Sequence, residues 1–176
     1  MIEPLVMADP GTNLTDGRDM PSGDALREVL RRFAAGVTVV TTRNGAVPAG
    51  MTATAFSSVS LEPPVVLVCL NASSQTAGAV AASGIFAINI LASSQRDIAD
   101  RFSQRSDDKF AGVSWSNGPE SLPYIDAALG VVACRVRSIT EAGTHRIVLG
   151  DVIDCQHRDA DALIYLDGRY VTTTEL

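Results

Sequence analysis

The sequence predicts a mainly β domain: an antiparallel barrel with short helices on its outside. Three observations carry this. Six or seven β-rich runs stand against three short helical ones. Neighbouring runs are joined mostly by turn signals, whereas a doubly wound parallel sheet needs a helical crossover after each strand. The 176 residues, 46% of them hydrophobic, suffice for one proper core, and no internal repeat or interdomain linker is visible.

Residues 1–21 are rich in Gly, Pro, Asp and Thr without a period and read as an N-terminal arm, leaving 22–176 as the domain. From Ser22, Leu26, Val29, Leu30 and Phe33 fall at helical spacing, and Gly36 follows as a stop signal. Val37–Arg43 is β-rich, and Asn44-Gly45 is a hairpin turn signal. It leads into a strand placed at about Val47 to Ser57, which Glu62-Pro63-Pro64 breaks off. Val65–Leu70 is apolar on both faces, as in a strand covered on both sides. A short helix is predicted from Ser74 to Ala82, ended by Gly84, and a strand from Ile85 to Leu91. Ser94-Gln-Arg-Asp97 reads as a capping box for a third helix, with Ile98 and Phe102 on one face. A polar loop spans Asp107 to Pro123, and three β-rich stretches follow: Ala128–Ile139, His145–Cys155 and Leu163–Val171.

The formal net charge of −6 disfavours non-specific binding to nucleic acid or to an anionic membrane. No apolar stretch reaches the ~20 residues of a membrane-spanning helix, and the N-terminus lacks the basic start and apolar core of a signal peptide. Cys69, Cys134 and Cys155 are an odd number without a CxxC spacing, which fits a reduced, cytoplasmic protein. Rossmann, P-loop and G-x-S-x-G patterns are absent, and His145 and His157 with Cys155 do not make up a zinc ligand set.

The chemistry-bearing run is Gly50 to Ser58. Thr52, Ala53, Thr54, Ala55, Ser57 and Ser58 are small or hydroxyl-bearing, where strands favour branched and aromatic residues. Such a strand either packs tightly or lets a flat ring approach its backbone, whose N–H groups can stabilise developing negative charge. Asn71-Ala-Ser-Ser-Gln-Thr76 follows a buried strand and opens a helix. It offers either simple N-capping by Ser73 or Ser74, or an anion site. His145, within Gly143-Thr-His145, is either structural or a titratable hydrogen-bonding group. Arg101-Phe102 and Asp108-Lys109-Phe110 pair a cation with an aromatic.

Taken together, FAAGVTVVTT (33–42), PAGMTATAFSSVSLEPP (48–64), ASGIFAINIL (82–91), ADRFS with DKFAGV (99–113), GTHRIVLGDV (143–152) and LIYLDGRY (163–170) resemble the flavin reductase-like family. These are the small reductase components of two-component flavin-dependent monooxygenases. The resemblance covers roughly Leu26 to Tyr170. It implies an FMN-binding split barrel of antiparallel Greek-key type, a homodimer, and reduction of FMN or FAD by NADH or NADPH for a monooxygenase partner. A flavin-holding electron carrier of the same fold is the alternative.

By position, the resemblance implies that Pro48, Ala49, Gly50, Met51, Thr52, Thr54, Ala55 and Ser57 line the flavin ring. Cys69, Leu70 and Asn71 would lie beside it. Ser74, Gln75 and Thr76 would hold phosphate, with Arg101 and Phe102 closing that end. His145 would serve hydride transfer as the catalytic residue, and Tyr165, Gly168 and Tyr170 would lie on the nicotinamide side. Two positions depart from the family pattern. Thr144 replaces an Asp, which removes an ionic partner for His145, and Gln75 stands where some relatives carry Arg. The second change implies weaker retention of flavin, as suits a flavin used as substrate.

Overall fold

A computed structural model describes residues 20–106 and 108–173. Its helices are α1 (Gly23–Leu30), α2 (Gln75–Ser83) and α3 (Arg96–Ser103). Its strands are β1 (Ala35–Gly36), β2 (Thr38–Asn44), β3 (Val47–Ala53), β4 (Phe56–Leu61), β5 (Pro64–Asn71), β6 (Ile85–Ile90), β7 (Trp115–Asn117), β8 (Pro123–Ile125), β9 (Gly130–Ala142), β10 (His145–His157), β11 (Leu163–Leu166) and β12 (Arg169–Thr172). All ladders between these strands are antiparallel.

Seven strands form the main sheet in the order β3-β2-β6-β9-β10-β5-β4. Its two edges, β3 and β4, are consecutive in the chain. Only Thr54 and Ala55 separate them, and two residues reach no more than about 7 Å. The sheet must therefore curl until its edges meet, which makes a split barrel. Small residues at the seam permit the sharp passage: the Phe56 N–H donates to the Thr54 carbonyl at 3.0 Å, and Cys69 N–H to the Ala55 carbonyl at 2.9 Å. The expected single strand from Val47 to Ser57 is thus corrected to two strands belonging to opposite edges.

The barrel interior is filled by Val40, Val66, Val68, Leu70, Phe86, Ile88 and Val148, with Ala77 and Val80 of α2 as a plug. A second apolar cluster lies under α3, where Val37, Val39, Leu91, Ala99, Phe102, Phe110 and Leu163 meet. Cys134 belongs to the interior, and its burial pushes the thiol up to about 12, so it stays protonated.

Four further expectations are corrected. The helix after Ser22 forms, and Ser22 Oγ accepts from Ala25 N–H at 3.1 Å, but α1 buries none of its residues. Ser94 does not cap the third helix. Gln95 holds the N-cap position without a side-chain bond to that helix; its Oε1 accepts from Ala92 N–H at 3.0 Å, closing the turn before it, and its Nε2 donates to the Asp126 carbonyl at 2.9 Å. The polar stretch 107–123 holds β7 and begins β8, a small hairpin tied to the barrel by the buried Asn89. The last β-rich stretch is two strands, β11 and β12, turned at Asp167 and Gly168, both with positive φ. The proposed arm lies, up to residue 19, outside the described residues.

Candidate functional site

β3 is an edge strand, so one row of its backbone N–H and C=O groups has no sheet partner. That free edge runs along a groove of about 1640 Å³ between α2, α3 and the β11–β12 hairpin. The N-terminus of α2 opens into the same groove through Asn71, Ser74, Gln75 and Thr76. Ser74 caps the helix, accepting from Ala77 N–H at 3.0 Å, and its hydroxyl contacts Met51 Sδ at 3.3 Å. Asn71 Oδ1 accepts from Ser73 N–H at 2.9 Å and Ser73 Oγ at 2.8 Å, which folds the loop against the helix start.

The two faces of β3 are spent differently. Met51 and Ala53 pack with the barrel interior. Gly50 and Thr52 face α3. A Cβ on Gly50 would lie 2.7 Å from Phe102 Cε1, and Thr52 Oγ1 donates to the Ala99 carbonyl at 2.7 Å. The missing side chain at Gly50 is therefore occupied by Phe102, which is fully buried and stacked edge-on against Phe110 at 5.0 Å. Phe102 supports the strand from behind.

Of the sequence-predicted residues, the groove wall brings together Pro48, Ala49, Gly50, Met51, Thr52, Thr54, Asn71, Ser74, Gln75, Thr76, Phe102, Tyr165, Gly168 and Tyr170. Ala55, Ser57, Cys69, Leu70, Arg101 and His145 are not part of it. Leu70 is fully buried inside the barrel. Ala55 and Ser57 are exposed beyond the seam, and Cys69 faces Ile147 in the β5–β10 ladder. Arg101 is exposed because Ala99 and Phe102 claim the inward face of α3. His145 stands directly across the ladder from Asn71, about 5 Å away at Cα, and so at the groove margin. Its Nδ1 lies 2.9 Å from Thr144 Oγ1.

Of the charged wall, Lys109 alone was singled out from sequence and the rest was missed. Arg96, Asp100, Arg105, Lys109 and Arg169 line the groove, four cations against one carboxylate in a chain of net charge −6. Lys109 Nζ donates to the Phe102 carbonyl at 3.0 Å at the end of α3, and its burial lowers its pKa. The signal lay in the spacing of Arg96 and Asp100, an i,i+4 pair beside the apolar face of α3.

A split barrel whose free strand edge, helix N-terminus and cationic wall share one groove is the arrangement that the resemblance to the flavin reductase-like family implies. The family model described as "Flavin reductase like domain" matches residues 30–174, and the chain belongs to that family. A "Probable flavin reductase" of Rhizobium meliloti is 40% identical over 149 residues, covering 84% of this chain and 48% of that protein, so the chain spans about half the length of that relative. The "Flavin-dependent monooxygenase, reductase subunit HsaB" of Rhodococcus jostii is 37% identical over 145 residues, 82% of this chain and 74% of the relative. The NADH:FAD oxidoreductase SgcE6 of Streptomyces globisporus, solved in complex with NAD and FAD fragments, superposes with a TM-score of 0.81 at 36% identity, covering 86% of this chain and 92% of that one. No helix of the described residues is long and apolar enough to cross a membrane.

Proposed function

We propose that the chain reduces FMN or FAD at the expense of NADH and releases the reduced flavin to a separate monooxygenase. The observation that carries this reading is the groove itself. At about 1640 Å³ it exceeds the ~300–1,000 Å³ typical of a single small-ligand site, so it has room for a flavin and part of a coenzyme side by side.

The residues present fit a flavin. The unpaired edge of β3 supplies backbone N–H donors at the ring, and Ser74, Gln75 and Thr76 supply neutral donors for the phosphate at the α2 N-terminus. Bound flavin and nicotinamide supply the hydride chemistry themselves. The protein's part is to stack the two rings, exclude water and hold negative charge on the reduced ring by those backbone dipoles. Asn71, anchored by Ser73, presents its free side to the groove, and His145 beside it would donate or accept a hydrogen bond at the nicotinamide amide. Gln75 leaves the phosphate end without a guanidinium, which favours exchange of the flavin over retention.

Relatives named as monooxygenase reductase subunits support a monooxygenase partner. A homodimer would cover the exposed Leu26, Val29 and Leu30 of α1, Phe33 just after it, and Val59 and Leu61 of the β4 edge. The three cysteines form no disulfide, which suits the cytoplasm.

The experiment is a matrix of NADH or NADPH with FMN or FAD, followed by coenzyme absorbance at saturating flavin. Turnover with NADH is expected with at least one flavin supplied in excess. A yellow protein that keeps its flavin through dialysis and oxidises neither coenzyme would instead be an electron carrier.

A further inference from the structure

The groove ends on the β11–β12 hairpin, and the carboxylates there are already engaged. Asp167, at the turn, lies 3.5 Å from Arg31 Nε and 3.3 Å from Arg32 Nη1, and its N–H donates to the Arg31 carbonyl at 2.9 Å. Asp100, across on α3, takes Arg96 at 3.7 Å. Burial and then the Asp100 charge and hydrogen bond hold the Tyr170 hydroxyl above its ordinary range. Arg96 itself lies over the Tyr170 ring, 5.6 Å from its centroid.

Arg105 and Arg169 are the guanidinium groups of this wall that these pairings leave over, and Arg169 is the one on the hairpin. It is exposed, lines the groove, and has no carboxylate within ion-pair distance among the described residues. Its position is well defined. It follows Gly168, whose φ of +78° closes the turn, and it faces Leu166 in the β11–β12 register. Beside it Tyr165 and Tyr170 stand edge to face at 5.5 Å, which gives the wall an aromatic surface. An aromatic pair with an uncommitted guanidinium beside it is complementary to a second ligand that carries both a flat ring and a phosphoryl group. In a chain of net charge −6, such a local cation is what makes the approach of an anion favourable.

We propose that Arg169 is a specificity-determining residue that binds a phosphoryl group of the nicotinamide dinucleotide, at the hairpin end of the groove. The inference rests on reading the groove as a flavin reductase site. Guanidinium geometry suits bidentate phosphate recognition, and the anchored Asp167 keeps the neighbouring carboxylate from neutralising it.

The test compares Arg169→Gln and Arg169→Lys with the unaltered protein, using NADH, NADPH and reduced nicotinamide riboside, which carries no phosphate. For Arg169→Gln, kcat/KM should fall about tenfold with the dinucleotides, KM for flavin should stay unchanged, and the riboside should react as before. Arg169→Lys should recover part of the loss. A fall with both NADH and NADPH assigns the pyrophosphate, and a fall with NADPH alone assigns the 2′-phosphate. Unchanged dinucleotide kinetics, an equal loss with the riboside, or a raised KM for flavin overturns the proposal. Failure of the unaltered protein to oxidise any coenzyme overturns the flavin reductase reading instead.

Discussion

Replacing Gly50 with valine is expected to cost about 1–3 kcal/mol of stability and most of the affinity for flavin. A Cβ there would sit 2.7 and 2.9 Å from two atoms of the Phe102 ring and 3.2 Å from the Val40 carbonyl. Phe102 has little room to retreat, because it is fully buried and the Phe110 ring lies edge-on against it. The strain would pass into β3 and α3, the two elements that frame the groove. Thermal melting and a flavin titration measure the two effects. Shortening the ring with Phe102→Leu in the same chain should recover part of both losses, because neighbouring substitutions that relieve one another's clash are not additive. An unchanged melt for Gly50→Val would mean that the strand is not held as described.

The second large effect is expected at Asn89, which is fully buried on β6. Its Nδ2 donates to the Val39 carbonyl and to Thr41 Oγ1, each at 3.0 Å, and its Oδ1 accepts from Ile125 N–H at 2.8 Å. Asn89→Ala leaves the Ile125 N–H without a partner in a dry site and opens a cavity beside it. The expected cost is about 2–4 kcal/mol. Because Ile125 lies on β8 and the single tryptophan, Trp115, lies opposite it on β7, tryptophan fluorescence should change along with the denaturation midpoint. Flavin affinity should change much less than in Gly50→Val, since Asn89 does not line the groove. A denaturation midpoint equal to that of the unaltered protein would contradict this account.

The contrast between these two positions shows what could be read from sequence. The β-rich runs, the Asn44-Gly45 turn and the Ser74-to-Gly84 helix were legible because each depends on local chemistry: turn glycine, N-cap hydroxyl, alternating apolar residues. The small residues from Gly50 to Ser58 stood out in the sequence, but two causes are merged in them. Gly50 is small because of Phe102, which lies 52 positions further on in the chain. Thr54 and Ala55 mark the passage between two sheet edges. Neither cause has a local pattern.

The placement of α3 explains the remaining difference. Arg101 was chosen for its place beside Phe102, yet helical geometry turns it outward once Ala99 and Phe102 are buried. The groove instead receives Arg96 and Asp100 from one flank and Arg105 and Lys109 from beyond the helix end. Asn89 was passed over as an ordinary residue of a buried strand. Its role depends on the β7–β8 hairpin, whose strands are three residues long, too short to show a period.

The most direct test of the central claim is anaerobic mixing of the protein with NADH and an excess of oxidised FMN or FAD, followed by flavin absorbance. The account predicts that many equivalents of flavin per protein are bleached, with one NADH consumed for each, and that admitting oxygen restores the colour. Bleaching that stops at one equivalent per protein, or none beyond that of a heat-denatured control, would contradict it.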